Sequence, residues 1–260
     1  MNRTVTPLGT PRRATRALHT IAAVAALFCA LPAMASPITF ESSTPNGLLS
    51  GESISEGGYQ MLILPSPDTD GPDLSTAFGA VVNSNDPNTC TVFGCPTGAS
   101  GHFLAVLNDG GVKFTRDGQQ FQLGSLSLAF LPPADVADGD YGLLQFSGIR
   151  GDGTVVSSTS AFPGQAANGS FSFGSALIEQ KFRNEVLTSL TINACLFDGN
   201  GGCFNSLENP AFRQAQFALD DISFNAVPEP GSFLLMGLGI GALGLTRRRS
   251  KASASTPATI

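Results

Sequence analysis

The sequence predicts an all-β domain, a single β-sandwich of the jelly-roll type, with a targeting segment at each end of the chain. Short runs of alternating or β-branched residues recur along residues 36–226, separated by polar turns such as Asn108-Asp109-Gly110. Strands at this spacing, joined by glycine turns, are typical of sandwiches and jelly rolls. The chain has 19 Phe and no Trp, so the aromatic core must be built from Phe.

Residues 1–35 have the composition of a secretory signal peptide. Arg3, Arg12, Arg13 and Arg16 precede an apolar run at residues 21–31, and Ala33-Met34-Ala35 follows it. This order of charged, apolar and small residues predicts cleavage after Ala35. An apolar run of this length is short for a permanent anchor, which needs about 20 residues.

Nine segments of the domain are predicted to be strands because they alternate or are rich in β-formers. They are residues 38–41, 59–64, 103–107, 121–131, 142–149, 154–158, 170–173, 187–194 and 217–224. Residues 176–185 read equally well as a helical turn or a strand. Residues 65–96 are rich in Pro, Asp and Asn, and we expect an irregular insertion there.

The domain is strongly acidic. Residues 36–226 contain six Lys and Arg against 19 Asp and Glu, a net charge of about −13. Such a domain repels nucleic acid and anionic lipid as a whole, so no nucleic-acid partner is expected.

Four cysteines remain after removal of the signal peptide: Cys90, Cys95, Cys195 and Cys203. Four cysteines allow three pairings. Locality favours Cys90 with Cys95 and Cys195 with Cys203, each closing a short loop. A zinc site is the alternative, but the four and seven intervening residues do not suit the spacing of zinc ligands. In an oxidising compartment disulfides are expected.

The C-terminus combines a proline motif, an apolar run and a basic cluster. Pro228-Glu229-Pro230 is followed by a glycine-rich apolar run at residues 233–245 and then by Arg247, Arg248 and Arg249. The composition predicts a transmembrane helix, and the arginines are expected to stay cytoplasmic. The domain would then lie outside the inner membrane, with residues 251–260 as a polar cytoplasmic tail.

This arrangement resembles the PEP-CTERM sorting signal of exported Gram-negative proteins, here at residues 227–250. The resemblance implies sorting by a membrane-embedded exosortase, which cuts near the motif, in a host that makes exopolysaccharide. Pro228, Glu229 and Pro230 match the motif, and Arg247, Arg248 and Arg249 match its basic stop. The tail after the arginines is longer than is usual for the family.

The β domain also resembles jelly-roll domains found in such proteins and in carbohydrate-binding modules. The resemblance lies in residues 38–41 (ITFE) and 217–222 (FALDDI). In those modules an early Glu and a late Asp often hold a structural calcium ion, which makes Glu41, Asp220 and Asp221 candidate ligands. Carboxylate oxygens suit calcium; the alternative is that these acids face solvent at strand ends.

No catalytic residues are assigned. The only His of the domain is His102, and no Gly-x-Ser-x-Gly elbow accompanies it. Paired carboxylates for glycoside hydrolysis have no distinctive motif here. For sugar stacking the domain offers only Tyr59 and Tyr141 besides Phe.

The sequence therefore predicts an exported cell-surface or extracellular-matrix protein, anchored first in the inner membrane with its domain in the periplasm. We expect it to be sorted by an exosortase and to be non-catalytic, with a structural or interaction role linked to exopolysaccharide. The first alternative is a carbohydrate-binding module. The second is a hydrolase with carboxylate chemistry.

Overall fold

The computed structural model describes residues 37–66, 76–90, 94–99, 101–132, 142–167, 169–197, 200, 202–203, 215–227 and 237. The chain divides into two units, Met1–Ala33 and Met34–Ile260, and the described residues all lie in the second. The predicted signal peptide and residues 251–260 lie outside the described residues, as does the C-terminal sorting segment apart from Val227 and Gly237. Across the described residues, no helix has the length and apolar character needed to span a membrane.

The described domain is built of strands, with one short α-helix and a single 3-10 turn at Pro87–Cys90. The helix α1 is Gln180–Arg183. The strands are β1 Asn46–Leu49, β2 Ser53–Glu56, β3 Tyr59–Leu64, β4 Ala77–Asn83, β5 His102–Val106, β6 Gly111–Thr115, β7 Phe121–Phe130, β8 Gly142–Arg150, β9 Val155–Ala161, β10 Gly174–Ser175, β11 Leu187–Leu196 and β12 Phe217–Ala226.

The strands form two antiparallel layers. The first layer has the order β1-β4-β5-β12-β7, with β10 paired to β7. The second has the order β2-β3-β6-β11-β8-β9. The layers are continuous through one paired position, Leu187 of β11 opposite Phe121 of β7. This folded-over sheet is the predicted β-sandwich.

The main core fills the space between the layers. The first layer contributes side chains such as Leu104, Leu128 and Phe217, and the second contributes Met61, Phe114 and Ile192, all with essentially no exposed surface. Phe supplies most of the largest buried side chains, as the composition predicts. A smaller apolar cluster covers the outer side of the first layer, where Phe103 packs against Phe173 with ring centroids 5.5 Å apart.

Strands with a regular alternation were predicted closely. β3 has the predicted bounds, and β7, β8, β11 and β12 each begin at the predicted residue. Five strands were missed: β1, β2, β4, β6 and the two-residue β10. The structure contradicts the expectation of an irregular insertion at residues 65–96, because β4 lies inside it. β4 is buried on both faces, with the sequence AFGAVVN, and so lacks the period-two pattern.

Two short predicted strands are not strands. Residues 38–41 make only an isolated bridge, in which Ile38 and Ile222 exchange two backbone hydrogen bonds of 2.8 and 2.9 Å. Residues 170–173 also make a single bridge, Ser172 with Thr97. The first segment is interrupted at Phe40, which has a φ of 60°, and the second leads directly into β10. In residues 176–185 the helical alternative is the one observed, as α1.

Candidate functional site

The acidic residues singled out in the sequence lie where the N-terminal segment crosses β12. β12 carries a bulge here: Asp220 pairs with Ser127 and Ser223 with Ser125, so three steps on β12 match two on β7. Asp221 within the bulge has a φ of 48°. Bulges of this kind redirect side chains and are common beside functional sites. Asp220 is only 4% exposed, whereas Asp221 is exposed.

Glu41 lies on the N-terminal segment, next to the start of β5. Its Oε1 accepts a hydrogen bond of 2.7 Å from the backbone N–H of His102. Gly101 has a φ of 97°, which favours glycine, and a Cβ atom there would stand 1.8 Å from the same oxygen and displace the Glu41 carboxylate. The preceding residue, Phe40, has a φ of 60°, which is rare for a bulky residue. Glu41 is thus held firmly by its backbone surroundings.

Glu56 is a fourth acidic residue of this site that the sequence reasoning missed. Its Oε1 accepts hydrogen bonds from the backbone N–H groups of Thr39, at 3.0 Å, and Phe40, at 3.2 Å. Its Oε2 is buried without a hydrogen-bond partner among the described residues. A Glu that closes a strand before Gly57-Gly58 gives no sequence signal, because nothing local shows that its side chain turns inward.

The surroundings of Asp220 raise its affinity for a proton. Burial, as the largest cause, and the negative charges of Asp221, Glu41 and Glu56 together raise the pKa of Asp220 to about 7, against the hydrogen bond from the Asp221 N–H, which lowers it. That bond, to Asp220 Oδ1, measures 2.7 Å. A buried carboxyl among three acids is the arrangement that favours either a proton or a cation.

The side chains alone do not converge on a metal. Among the residues that the structure describes, no group of three or more His, Cys, Asp and Glu side chains is placed to hold a metal ion. Glu41, Asp220 and Asp221 lie within electrostatic range of one another. A hard cation here would need backbone oxygens or water to complete its shell, which calcium accepts readily.

His102 lies beside this cluster. Its Nδ1 is 3.2 Å from the carbonyl oxygen of Phe40, and its backbone N–H is bound by Glu41. The ring therefore joins β5 to the N-terminal segment.

The cysteines are paired as locality favoured. Cys90 bonds to Cys95, with Cα atoms 5.4 Å apart, and Cys195 bonds to Cys203, with Cα atoms 5.3 Å apart. The first disulfide lies in the β4–β5 connection, and the second joins Cys195, near the end of β11, to Cys203 in the segment that follows. A zinc site at these residues is thereby ruled out.

Tyr59 is not available for stacking on a sugar, contrary to the expectation from the sequence. It is 1% exposed and stacks on Phe224 at 4.4 Å, with the edge of Phe121 at 5.4 Å. Arg116 lies over the ring at 5.3 Å, and burial raises the pKa of the Tyr59 hydroxyl. As the first residue of a strand with inward-facing odd positions, Tyr59 belongs to the core. Tyr141 lies outside the described residues.

The outer face of the second layer is rich in hydroxyl and amide groups. Its central row runs Leu62, Lys113, Thr191, Ser147 and Ser157 across five strands. The neighbouring rows include Gln60 and Thr115 on one side, and Asn193, Gln145 and Thr159 on the other. The outward positions of these six strands carry no Asp or Glu. This acid-free face stands out on a domain with a net charge of about −13.

A small cleft of about 170 Å³ opens between α1 and the β8–β9 hairpin. Arg150 bridges it with a two-pronged ion pair, in which Nε and one terminal nitrogen donate to Glu185 at 2.7 and 2.8 Å. These bonds lower the pKa of the Glu185 carboxyl. Lys181 and Phe182 complete the wall on the helix side.

β12 ends at Ala226, and the backbone N–H of Val227 still reaches the Gln120 carbonyl at 3.4 Å. The proline motif therefore begins directly after the last strand. Residues 226–250 match the sequence model of a known sorting family. They form a PEP-CTERM protein-sorting motif. The matched range contains Pro228, Glu229 and Pro230 near its start and Arg247, Arg248 and Arg249 near its end.

Other comparisons are more distant. No curated protein matches the chain. Among solved structures, the β domain is similar to a mutant of CBM29-2, a family 29 carbohydrate binding module whose mechanism of ligand recognition was probed. That similarity has a TM-score of 0.31 at 9% identity, and it covers 72% of this chain and 99% of that one. The PEP-CTERM motif identifies an exported protein with a C-terminal sorting signal.

Proposed function

We propose that this exported protein is held briefly in the inner membrane, processed by an exosortase and delivered to the cell surface or matrix. The observation that carries the proposal is the PEP-CTERM motif at residues 226–250, directly behind the last strand of a disulfide-bonded β-sandwich. The domain would reach the periplasm first and fold there. Its role at the surface is structural or interactive, without catalysis, and is linked to the exopolysaccharide that the host secretes.

Mass spectrometry of the protein recovered from its native host tests the proposal. We expect a mature C-terminus within residues 228–231 and recovery from the surface or extracellular fraction. A variant with Pro228→Ala, Glu229→Ala and Pro230→Ala should keep its original C-terminus and stay with the inner membrane. Recovery of the unaltered protein with Ile260 intact, in the membrane fraction only, would contradict processing.

The absence of catalysis is tested separately. In support of a non-enzyme, the one His of the domain is bound into the fold through Phe40 and Glu41. We expect purified residues 36–226 to turn over neither glycan nor ester substrates. Turnover that survives repurification and disappears on mutation of a single acid would establish a hydrolase instead.

A second candidate function is carbohydrate binding, favoured by the acid-free hydroxyl and amide face of the second layer. Such groups bind sugars by hydrogen bonding, though this face lacks the aromatic rings that usually add stacking energy. Affinity electrophoresis in the host's own polysaccharide should retard the domain. Asn193→Ala with Gln145→Ala should abolish that retardation, whereas Asn85→Ala, on the β4–β5 turn, should preserve it. Equal mobility with and without polysaccharide would remove this candidate.

We also propose that calcium binds at Glu41, Asp220 and Asp221. The proposal is supported by the buried, unpartnered Oε2 of Glu56 and by the raised pKa of Asp220, since both mark an excess of negative charge. Removing calcium with a chelator should lower the melting temperature, and Glu41→Ala should remove that sensitivity. A melting temperature unaffected by chelation rules the ion out.

A further inference from the structure

One end of the sandwich combines three features that the sorting proposal does not use. We call it the tether end and define it by residues 116–120, 150–154 and 179–185, which surround the point where β12 ends. β6 and β8 also end there, while β7 and β11 begin there, as the pairs Ala226–Phe121 and Leu187–Arg150 show. The turns of this end therefore lie closest to the PEP-CTERM motif.

The first feature is the length of chain between the fold and the predicted membrane segment. Five residues separate Val227 from Phe233, where the apolar run begins. A fully extended chain over those six steps reaches about 20 Å. While residues 233–245 are inserted in the membrane, the tether end cannot lie farther than that from the bilayer surface.

The second feature is the distribution of basic residues. Residues 36–226 contain only six Lys and Arg, and four of them, Arg116, Arg150, Lys181 and Arg183, lie at the tether end. Lys113 lies on the outer face of the second layer, and Arg213 lies outside the described residues. The acids of the tether end, Asp117, Asp152, Glu179 and Glu185, also number four. This end is locally neutral on a domain that is otherwise strongly negative.

Two of the cations are free to turn outward. Lys181 and Arg183 are exposed on α1, and Arg183 reaches back only to the Gly124 carbonyl, at 3.5 Å, and to Gln180. Arg150 by contrast is committed to Glu185. Basic side chains near an anionic leaflet are attracted to its phosphates over about a Debye length.

The third feature is exposed apolar surface. Ile149 and Val155 are cross-strand partners on either side of the β8–β9 turn, and they are 36% and 66% exposed. Of the large hydrophobic side chains among the described residues, only Leu177 and Phe197 are comparably exposed. An apolar pair beside basic residues is the composition of a surface that rests in a lipid headgroup region.

We propose that the tether end docks on the anionic phospholipid surface of the membrane that holds the C-terminal segment. The inference rests on the proposed membrane stage of sorting. Docking would orient the sandwich upright, because the excess of about 13 negative charges lies outside the tether end and the anionic leaflet repels it. It would also hold the PEP-CTERM motif at the headgroup level, where a membrane-embedded enzyme can reach it.

Hydrogen exchange on the full chain in vesicles tests the docking. The chain is reconstituted into vesicles of phosphatidylethanolamine and phosphatidylglycerol, and into phosphatidylcholine vesicles. We expect slower amide exchange at residues 116–120, 150–154 and 179–185 in the anionic vesicles only, reversed by 0.5 M NaCl. Residues 108–110, at the opposite end, should exchange alike in both. Lys181→Gln with Arg183→Gln should remove the difference in exchange between the two kinds of vesicle. Each lost cation should lower the ratio of docked to undocked protein by on the order of five-fold.

The matched control is Lys113→Gln, which removes one cation from the second layer and should keep the protection. Equal exchange of the double variant and the unaltered chain in phosphatidylcholine shows that the variant is folded. Ile149→Ser with Val155→Ser should weaken protection, and Leu177→Ser should not.

Flotation of the vesicles distinguishes a failure of docking from a failure of membrane insertion. A chain that floats with vesicles yet shows no lipid-dependent protection overturns the docking while leaving the sorting proposal standing. A chain that does not float overturns the membrane stage itself, and docking with it. Protection that appears only when an exosortase is added to the vesicles overturns lipid docking in favour of a protein contact.

Discussion

Asp220 is the residue at which the charge of the domain bears most directly on its stability. Burial and three neighbouring acids raise its pKa to about 7, so in the folded state it carries a proton over a pH range in which the unfolded chain does not. The unfolded pKa of Asp is about 3.9. Between roughly pH 4 and 7 the folded state binds more protons, and stability falls as the pH rises through that window.

Asp220→Asn should therefore stabilise the calcium-free domain at pH 8, by on the order of 1–3 kcal/mol, because the amide carries no charge and still accepts the Asp221 N–H bond. The gain should shrink towards zero as the pH falls to about 4. Urea unfolding at several pH values in a chelating buffer measures both quantities. Asp221→Asn, which removes only one of the charges that raise the pKa of Asp220, is the comparison and should show the same trend with a smaller gain. A gain independent of pH would mean that Asp220 is not the titrating group.

The sequence led to three of the four acids of this site, Glu41, Asp220 and Asp221, for a physical reason. Glu41, Asp220 and Asp221 stand in segments whose resemblance to known strands suggested their proximity. Glu56 could not be identified from the sequence, because its side chain points inward from the end of β2. Its partners are backbone N–H groups 16 and 17 residues away in the chain. Tyr59 was misjudged for the same reason: whether a strand residue faces inward depends on register, and register is a property of the partner strand.

At the scale of the element, β12 is the strand on which sorting depends. It lies between β5 and β7 and ends next to the PEP-CTERM motif. Cleavage near Pro228 would therefore leave almost no residues after the last strand. Phe224 anchors the C-terminal end of this strand in the core. This ring is 3% exposed and packs on Tyr59, Phe121 and Phe114 with centroid distances of 4.4, 5.0 and 5.5 Å.

Phe224→Ala should destabilise the domain by about 3–5 kcal/mol, because it opens a cavity among three aromatic rings. Urea unfolding with an unchanged m value measures the loss. Phe197→Ala is the matched control: this ring is 37% exposed and should cost about 0.5 kcal/mol or less. Similar losses at the two positions would mean that the end of β12 is not anchored by its aromatic cluster.

Strands were predictable where one face is buried and the other is solvated. In β3 every second residue, starting from Tyr59, is buried and the residues between them are more exposed, and the bounds of this strand were predicted residue for residue. β4 is buried on both faces, and β1 and β2 are four residues long, so neither case offers a period to detect. The local disulfides were predictable because their loops are short, whereas the continuity of the layers at Leu187 and Phe121 arises only from the assembled sheet.

At the scale of the whole molecule, the net charge of about −13 on residues 36–226 should make the stability of the domain depend on salt. Like charges repel more in the folded state, where they are closer together, and salt screens that repulsion. Raising NaCl from 20 to 500 mM at pH 7.5 should therefore raise the melting temperature by several degrees, about as much as 1 kcal/mol produces in a domain of this size.

The same salt series at about pH 4 serves as the control, since roughly half of the carboxyl groups are then protonated and the repulsion is smaller. The salt effect should shrink accordingly. A salt effect of equal size at both pH values would point to a general solvent effect of NaCl, and a melting temperature that falls with salt would mean that ion pairs such as Arg150–Glu185 outweigh the repulsion. That second outcome is unexpected, because this pair lies at the one locally neutral end of an acidic domain.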